Sequence, residues 1–341
     1  MTSSDSKRIA CIDFAKIIGI YCVVLAHTQL DKQLQNWIYV FHMPLFFFIS
    51  GFLFSYGRNK SFGSFVRKRL RQLMLPYAVI NILTYVFWLF VGRHVGADSN
   101  SDIPIWQPIV GAVFCYGDLM IHNIPLWFLQ CLFIIEVVYY RMFTSNSART
   151  RWILIGGWAI VGCINYMFNP IRLLFSIGTV MTGIVFYAIG NEVRKLHLEA
   201  NNILWAVAAI ALVTIIALAN GRINMHKNYY GNFAMFVLGG LAGIYMMMWV
   251  SRLLAQWTRR LHIQNVIAYI SDNTLYICGF HLMCLAFVKG ILVYVFKADI
   301  SMLTNTIVPN ILFSIAGMAV CVGAIYLCHR LYRRFVSRPN A

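Results

Sequence analysis

Residues 203–220 read Ile203-Leu204-Trp205-Ala206-Val207-Ala208-Ala209-Ile210-Ala211-Leu212-Val213-Thr214-Ile215-Ile216-Ala217-Leu218-Ala219-Asn220, with no charged side chain anywhere in the stretch. A helix of about 20 apolar residues crosses a bilayer core, and in hydrocarbon the helix satisfies its own backbone polar groups. A run that is apolar on every side therefore reads as a membrane helix rather than an amphipathic surface helix. The pattern recurs on both sides of it, at 11–28, 36–56, 73–92, 125–143, 152–168, 172–191, 232–251, 266–289 and 304–328. Stretch 105–120 is apolar but broken by Gly111, Gly117 and Asp118. It reads as a re-entrant or interfacial piece, with an eleventh span as the alternative.

Composition agrees with a membrane chain. Of 341 residues, 60% are hydrophobic and 11% charged, where a soluble domain carries about 25% charged residues. Mean hydropathy is +0.70. The net charge of +17 does not signal nucleic acid, because the basic residues sit between the apolar segments. With the N-terminus placed inside, 20 Lys and Arg fall in inner segments, 7 in outer ones, and Lys16 lies within the first span. Such a bias follows the positive-inside rule and the anionic inner leaflet. The expectation is an all-α polytopic membrane helix bundle of about ten transmembrane helices, both termini cytoplasmic. It forms one domain over 1–341, with the bundle at 11–328 and a basic cytoplasmic tail at 329–341. Asp13 and Lys16 interrupt the first apolar run, and no small-x-small site follows it, so it does not read as a cleaved signal. Most of the nine cysteines lie inside apolar segments and no CxxC pair occurs, which argues against a disulfide or zinc framework.

Polar groups inside spans are costly and usually serve a site. The first span carries Asp13, Lys16 and His27. Lys16 and His27 are eleven residues apart, about three turns, so they share one helix face and stand roughly 16 Å apart along the axis. Structural readings compete: Lys16 could snorkel to the inner interface, and His27 could bond a neighbouring helix. His42 on the second span and His281 on the ninth fall at a depth similar to His27. Three such histidines raise the question of a metal, but no short-range ligand spacing supports one. The fourth span carries Trp127 near its outer end and Glu136 in its inner half. The basic run Arg67-Lys68-Arg69-Leu70-Arg71 before Pro76-Tyr77 is either inner-leaflet anchoring or a cradle for a phosphorylated cytosolic ligand.

These residues resemble the acyltransferase-3 family of membrane O-acyltransferases. Asp13-Phe14-Ala15-Lys16, ten residues and then His27 is similar to the family's acid-x-x-Arg, x10, His pattern, with Lys16 in place of the usual arginine. Met43-Pro44-Leu45-Phe46-Phe47-Phe48-Ile49-Ser50-Gly51-Phe52 resembles its second-helix signature, and Leu75-Pro76-Tyr77 its third-helix entry. Leu126-Trp127-Phe128-Leu129 and Ser271-Asp272-Asn273-Thr274-Leu275-Tyr276, with Gly279-Phe280-His281, complete the set in family order. The nearest likeness is to the stand-alone sugar O-acetyltransferase subgroup, which includes fucose O-acetylases and the enterobacterial common antigen acetylase.

The resemblance implies acetyl transfer from cytosolic acetyl-CoA to a hydroxyl of a cell-surface glycan or its lipid-linked precursor, in a bacterial inner membrane. It implies acetyl-CoA as co-substrate and no metal. The assignments that follow are His27 as catalytic base or acyl carrier, with Lys16 and Asp13 beside it. Arg67, Lys68, Arg69, Arg71 and Arg141 would hold CoA phosphates. His42, His281, Trp127 and Glu136 would meet the acceptor or an oxyanion, a structural hydrogen bond being the competing role for Glu136. The Lys16 replacement puts bidentate contact at that position in doubt. The rival classes are a transporter or flippase of glycan precursors, which would show inverted repeats not found here, and a receptor that binds ligand without CoA turnover.

Overall fold

The computed structural model describes residues 9–55, 61–95, 102–116, 119–168 and 173–336. Among these residues the chain is all-helical, with no strands. The expected segments appear as α1 (Ala10–Ala26), α2 (Lys32–Leu53), α3 (Phe62–Gly92), α4 (Trp106–Phe114), α5 (Ile124–Phe143), α6 (Ala148–Phe168), α7 (Ile177–Lys195), α8 (Ile203–Ala219), α9 (Phe233–Trp257), α10 (Gln264–Asp272), α11 (Thr274–Gly290) and α12 (Val308–Val336). Among the described residues, eight helical stretches are long and apolar enough to cross a membrane. α1 and α8 have 17 residues each, about 25 Å of helix, slightly short of a 30 Å core.

Three boundaries differ from the sequence expectation, while the broken stretch at 105–120 is not the eleventh span that stood as its alternative reading. α3 begins at Phe62, so the basic run lies on a helix rather than in a loop before a span. Its third turn, Leu70–Met74, is a π-turn, a device that often marks functional positions. The stretch at 105–120 holds only the nine residues of α4, too few to cross, and Gly117 and Asp118 lie outside the described residues. The ninth span is broken at Asn273 into α10 and α11. α12 continues as helix past 328 to Val336. Of the basic residues that set the orientation, Lys7, Arg8, Arg58, Lys60, Arg172 and Arg338 lie outside the described residues.

α2, α5 and α7 are the most buried crossing helices, while α6 and α12 are largely peripheral. The α2–α7 contact is made by glycines. A Cβ on Gly51 would stand 1.8 Å from the Tyr187 carbonyl oxygen, and one on Gly190 would stand 2.1 Å from that of Phe48. Each helix thus presses its bare backbone onto the other, as membrane helices do at small residues. Asn191 then donates its amide to the carbonyls of Gly51 and Phe54, at 3.1 and 3.2 Å, which ties off the end of α2. At the same end of the bundle Arg151 grips Glu192 with two nitrogens at 2.6 and 2.9 Å, fastening α6 to α7.

Two hydrophobic cores meet at α1. The larger runs through α2, α5, α7 and α9 and takes Ile12, Ala15 and Cys22 from α1. The smaller joins Ile20, Val23 and Val24 of α1 to Ile277 and Leu285 of α11 and Cys321 of α12. α1 is therefore held from both sides, and its remaining face looks into the space between the cores.

Candidate active site

That space is a cavity of about 500 Å³. α1 contributes Lys16, Ile20, Val23 and His27, at steps of four, three and four residues, which is one stripe of a 3.6-residue helix. α2 contributes Tyr39, His42, Met43, Phe46, Ile49 and Ser50, again one stripe. α3 adds Arg69 and Leu73, α5 adds Trp127, Phe128 and Glu136, and α11 closes the wall with Thr274 and Cys278. The cavity is apolar along its middle and polar at its two ends.

One end is built from imidazoles. His27 Nδ1 lies 2.7 Å from the Val23 carbonyl oxygen, and His42 Nδ1 lies 2.9 Å from that of Ile38. A carbonyl cannot donate, so in each neutral ring Nδ1 carries the hydrogen and Nε2 keeps the lone pair. His27, at the C-terminal cap of α1, thus presents a proton-accepting nitrogen on a cavity-lining side chain. His281 packs edge-on against it, with ring centroids 5.1 Å apart at 69°. Tyr39 stacks on His42 at 5.1 Å.

A hairpin between α8 and α9 covers this end. Asn224 and Tyr229 exchange backbone hydrogen bonds of 2.8 and 3.0 Å, the Asn224 side chain caps Lys227, and Thr179 of α7 donates to the Met225 carbonyl at 2.8 Å. The turn is thereby seated on α7 and places Asn224, His226 and Lys227 in the cavity wall. The Trp127 ring lies 5.6 Å from that of His226.

The opposite end is charged. Arg69 Nε lies 2.7 Å from Glu136 Oε2. The pair bridges α3 and α5 beside Lys16, all three lining the cavity. Arg69 also donates to Gln72 at 2.9 Å and lies over the Phe65 ring. Asp13, one turn before Lys16, is buried and accepts a 2.6 Å hydrogen bond from Ser271 Oγ at the foot of α10.

Among the residues singled out from sequence, Lys16, His27, His42, Arg69, Trp127 and Glu136 line this one cavity. Asp13 and His281 stand immediately behind it, on the α10 and α11 sides of α1. Arg67, Lys68 and Arg71 point away, exposed on α3, and Arg141 is exposed near the end of α5. Of the five basic residues grouped from sequence, only Arg69 enters the cavity. Tyr39 and the His226–Lys227 turn were not anticipated, and Ser271 was read only as part of a motif. Tyr39 had a usable signal, its i, i+3 relation to His42. The turn had none, because its position follows from long-range hydrogen bonds. Among the described residues no group of three or more His, Cys, Asp and Glu is arranged to hold a metal ion.

The fold and this cavity define a multi-pass helical membrane protein with imidazole bases at one end of a buried chamber and fixed charges at the other. Residues 9–330 match the acyltransferase-3 family model, described as an acyltransferase domain, and the chain belongs to that family. It is similar to the nodulation protein NolL of Mesorhizobium japonicum (strain LMG 29417 / CECT 9101 / MAFF 303099), with 27% identity over 183 residues. That match covers 50% of this chain and 44% of the relative, less than half of its length. No solved structure matches.

Proposed function

We propose that the protein is an O-acetyltransferase of a bacterial inner membrane that moves the acetyl group of cytosolic acetyl-CoA to a hydroxyl of a surface glycan or its lipid-linked precursor. The observation that carries the proposal is the chamber itself: a lone-pair nitrogen of His27 at one end, Lys16 and Arg69 at the other, on one continuous wall.

A thioester and a sugar hydroxyl have to meet with water kept out. CoA is a polyanion, so its phosphates belong at the cationic end, with Arg67, Lys68 and Arg71 on the exposed face of α3 and Arg141 nearby as outer contacts. The thioester then extends along the apolar middle toward His27. The acceptor hydroxyl enters beside Tyr39, His42 and Trp127, whose aromatic faces suit a sugar ring. His27 Nε2 takes the hydroxyl proton as oxygen attacks the carbonyl carbon. The C–S bond breaks, the ester forms, and the proton passes from His27 to the departing thiolate. Lys227, the cation in this part of the wall, would meet negative charge on the tetrahedral oxygen, while the His42 lone pair would accept from a hydroxyl of the acceptor.

The test is acetyl-CoA turnover by purified protein with a lipid-linked glycan extract, comparing wild type with His27→Ala. Release of CoA and labelling of glycan by wild type alone supports the reading. Equal activity in both variants removes His27 from the chemistry. Glycan-lipid binding with no turnover in either favours a transporter.

A further inference from the structure

His281 is fully buried and does not line the cavity, yet it holds a nitrogen with no partner. Its Nδ1 lies 3.1 Å from the Ile277 carbonyl oxygen and 2.9 Å from that of Cys278, so Nδ1 carries the hydrogen. Nε2, at the far end of the ring, is buried without any hydrogen bond among the described residues. An unpartnered buried nitrogen is destabilising, and a position that keeps one calls for a use. A leucine or phenylalanine would fill the same space in this apolar core at lower cost.

The His27 ring is the neighbour, edge-on at 5.1 Å. At rest His27 has no hydrogen to offer: its one N–H is engaged by the Val23 carbonyl. That changes when His27 takes a proton on Nε2, because the imidazolium is a donor at both nitrogens. We infer that His281 is a positioning residue for His27, its buried Nε2 lone pair accepting from the His27 imidazolium that forms during proton abstraction. The inference rests on the proposed role of His27 as base. No bond is made or broken at His281: the acceptor proton moves to His27 Nε2, is shared with His281 Nε2 in a hydrogen bond, and leaves with the thiolate.

The backbone supports a fixed placement. Asn123 donates to the Gly279 carbonyl at 2.8 Å, pinning α11 within a turn of His281. The other titratable groups around His27 are Tyr39 and His42 of α2, Cys278 of α11, and His226 and Lys227 of the hairpin. On α1 itself Lys16 stands at the opposite end. α12 brings Cys321 to Cys284 behind α11. α5 presents Trp127 and Phe128, α10 meets α1 at Asp13, and α9 carries no His, Cys, Lys, Arg or acid between Phe233 and Ser251. Beside these groups, His281 is the residue in ring contact with His27 at 5.1 Å, and its Nε2 is buried without a hydrogen bond among the described residues.

The test uses His281→Phe, which keeps a ring and removes the lone pair, and His281→Gln, which restores an acceptor oxygen. The first readout is independent of turnover: carbethoxylation of His27 by diethyl pyrocarbonate against pH, followed by mass spectrometry of the full chain in detergent. Loss of the acceptor destabilises the imidazolium, so the midpoint for His27 moves to lower pH in His281→Phe and returns toward wild type in His281→Gln. The second readout is kcat, expected to fall roughly ten- to a hundredfold in His281→Phe, the worth of one hydrogen bond to a charged group, with KM for acetyl-CoA unchanged. The acid limb of the kcat profile moves with the modification midpoint. An unmoved midpoint in His281→Phe, or identical midpoints in both variants, overturns the inference and leaves His281 as packing. A shifted midpoint in a protein without turnover overturns the acetyltransferase reading instead.

Discussion

The two ends of the chamber solve opposite electrostatic problems, and α1 contributes a side chain to each. At the charged end the ionisable groups are partnered: Arg69 with Glu136 at 2.7 Å, and Asp13 with Ser271. Leaving either partner alone in an apolar bundle would be severely destabilising. At the imidazole end, under the proposed mechanism, charge is only transient. His27, His42 and His281 all point Nδ1 at their own backbone and keep Nε2 as an acceptor, so the cluster is rich in lone pairs. The comparison teaches a division of labour, with a fixed field where an anion is held and latent acceptors where a proton is taken.

If the division is real, variants at the two ends fail in different ways. His27→Ala has the largest expected effect: kcat falls by about 10²–10⁴, the usual worth of a positioned base, while the melting temperature barely changes. A kinetic loss confined to KM would break the comparison. Arg69→Met comes next and acts on stability, because it strands the buried Glu136 carboxylate. The cost is about 3 kcal/mol, at the low end for a broken buried pair since 24% of the Arg69 side chain is exposed. Thermal unfolding in detergent measures it, and Arg69→Met with Glu136→Gln should recover much of the loss. Lys16→Ala should raise KM for acetyl-CoA several-fold with a smaller change in kcat, since an anion contact far from the reacting carbon supplies mainly uniform binding. Trp127→Leu has the smallest effect, a rise of a few-fold in KM for the glycan acceptor, the size of one aromatic contact. Should Trp127→Leu change donor KM instead, the donor and acceptor ends as drawn are reversed.

What could be read without coordinates was whatever repeats along one helix. Apolar runs of span length show themselves because lipid imposes a single rule on every residue of the run. The shared face of Lys16 and His27 followed from eleven residues at 3.6 per turn, and the cavity stripe through Ile20 and Val23 is that face. His42 and Trp127 were visible at comparable depth for the same reason.

Nothing along the chain said which of the five basic residues turns inward. Arg69 does so because α3 starts early and winds through a π-turn beside α5, while Arg67, Lys68 and Arg71 take the exposed face. Ser271 meets Asp13 across 258 positions, and the Met225–Lys227 turn reaches the cavity because Thr179 of another helix holds it there. Whether His281 faces ligand or stands behind His27 is likewise a matter of how α11 packs on α1. The sequence by itself determined the helices, the faces they present and the chemical types on those faces, because each depends on local periodicity and on transfer into lipid. Only the tertiary structure decided which faces meet, since glycine contacts such as Gly51 on Tyr187 and hydrogen bonds between distant residues are pairwise terms that no single stretch of chain contains.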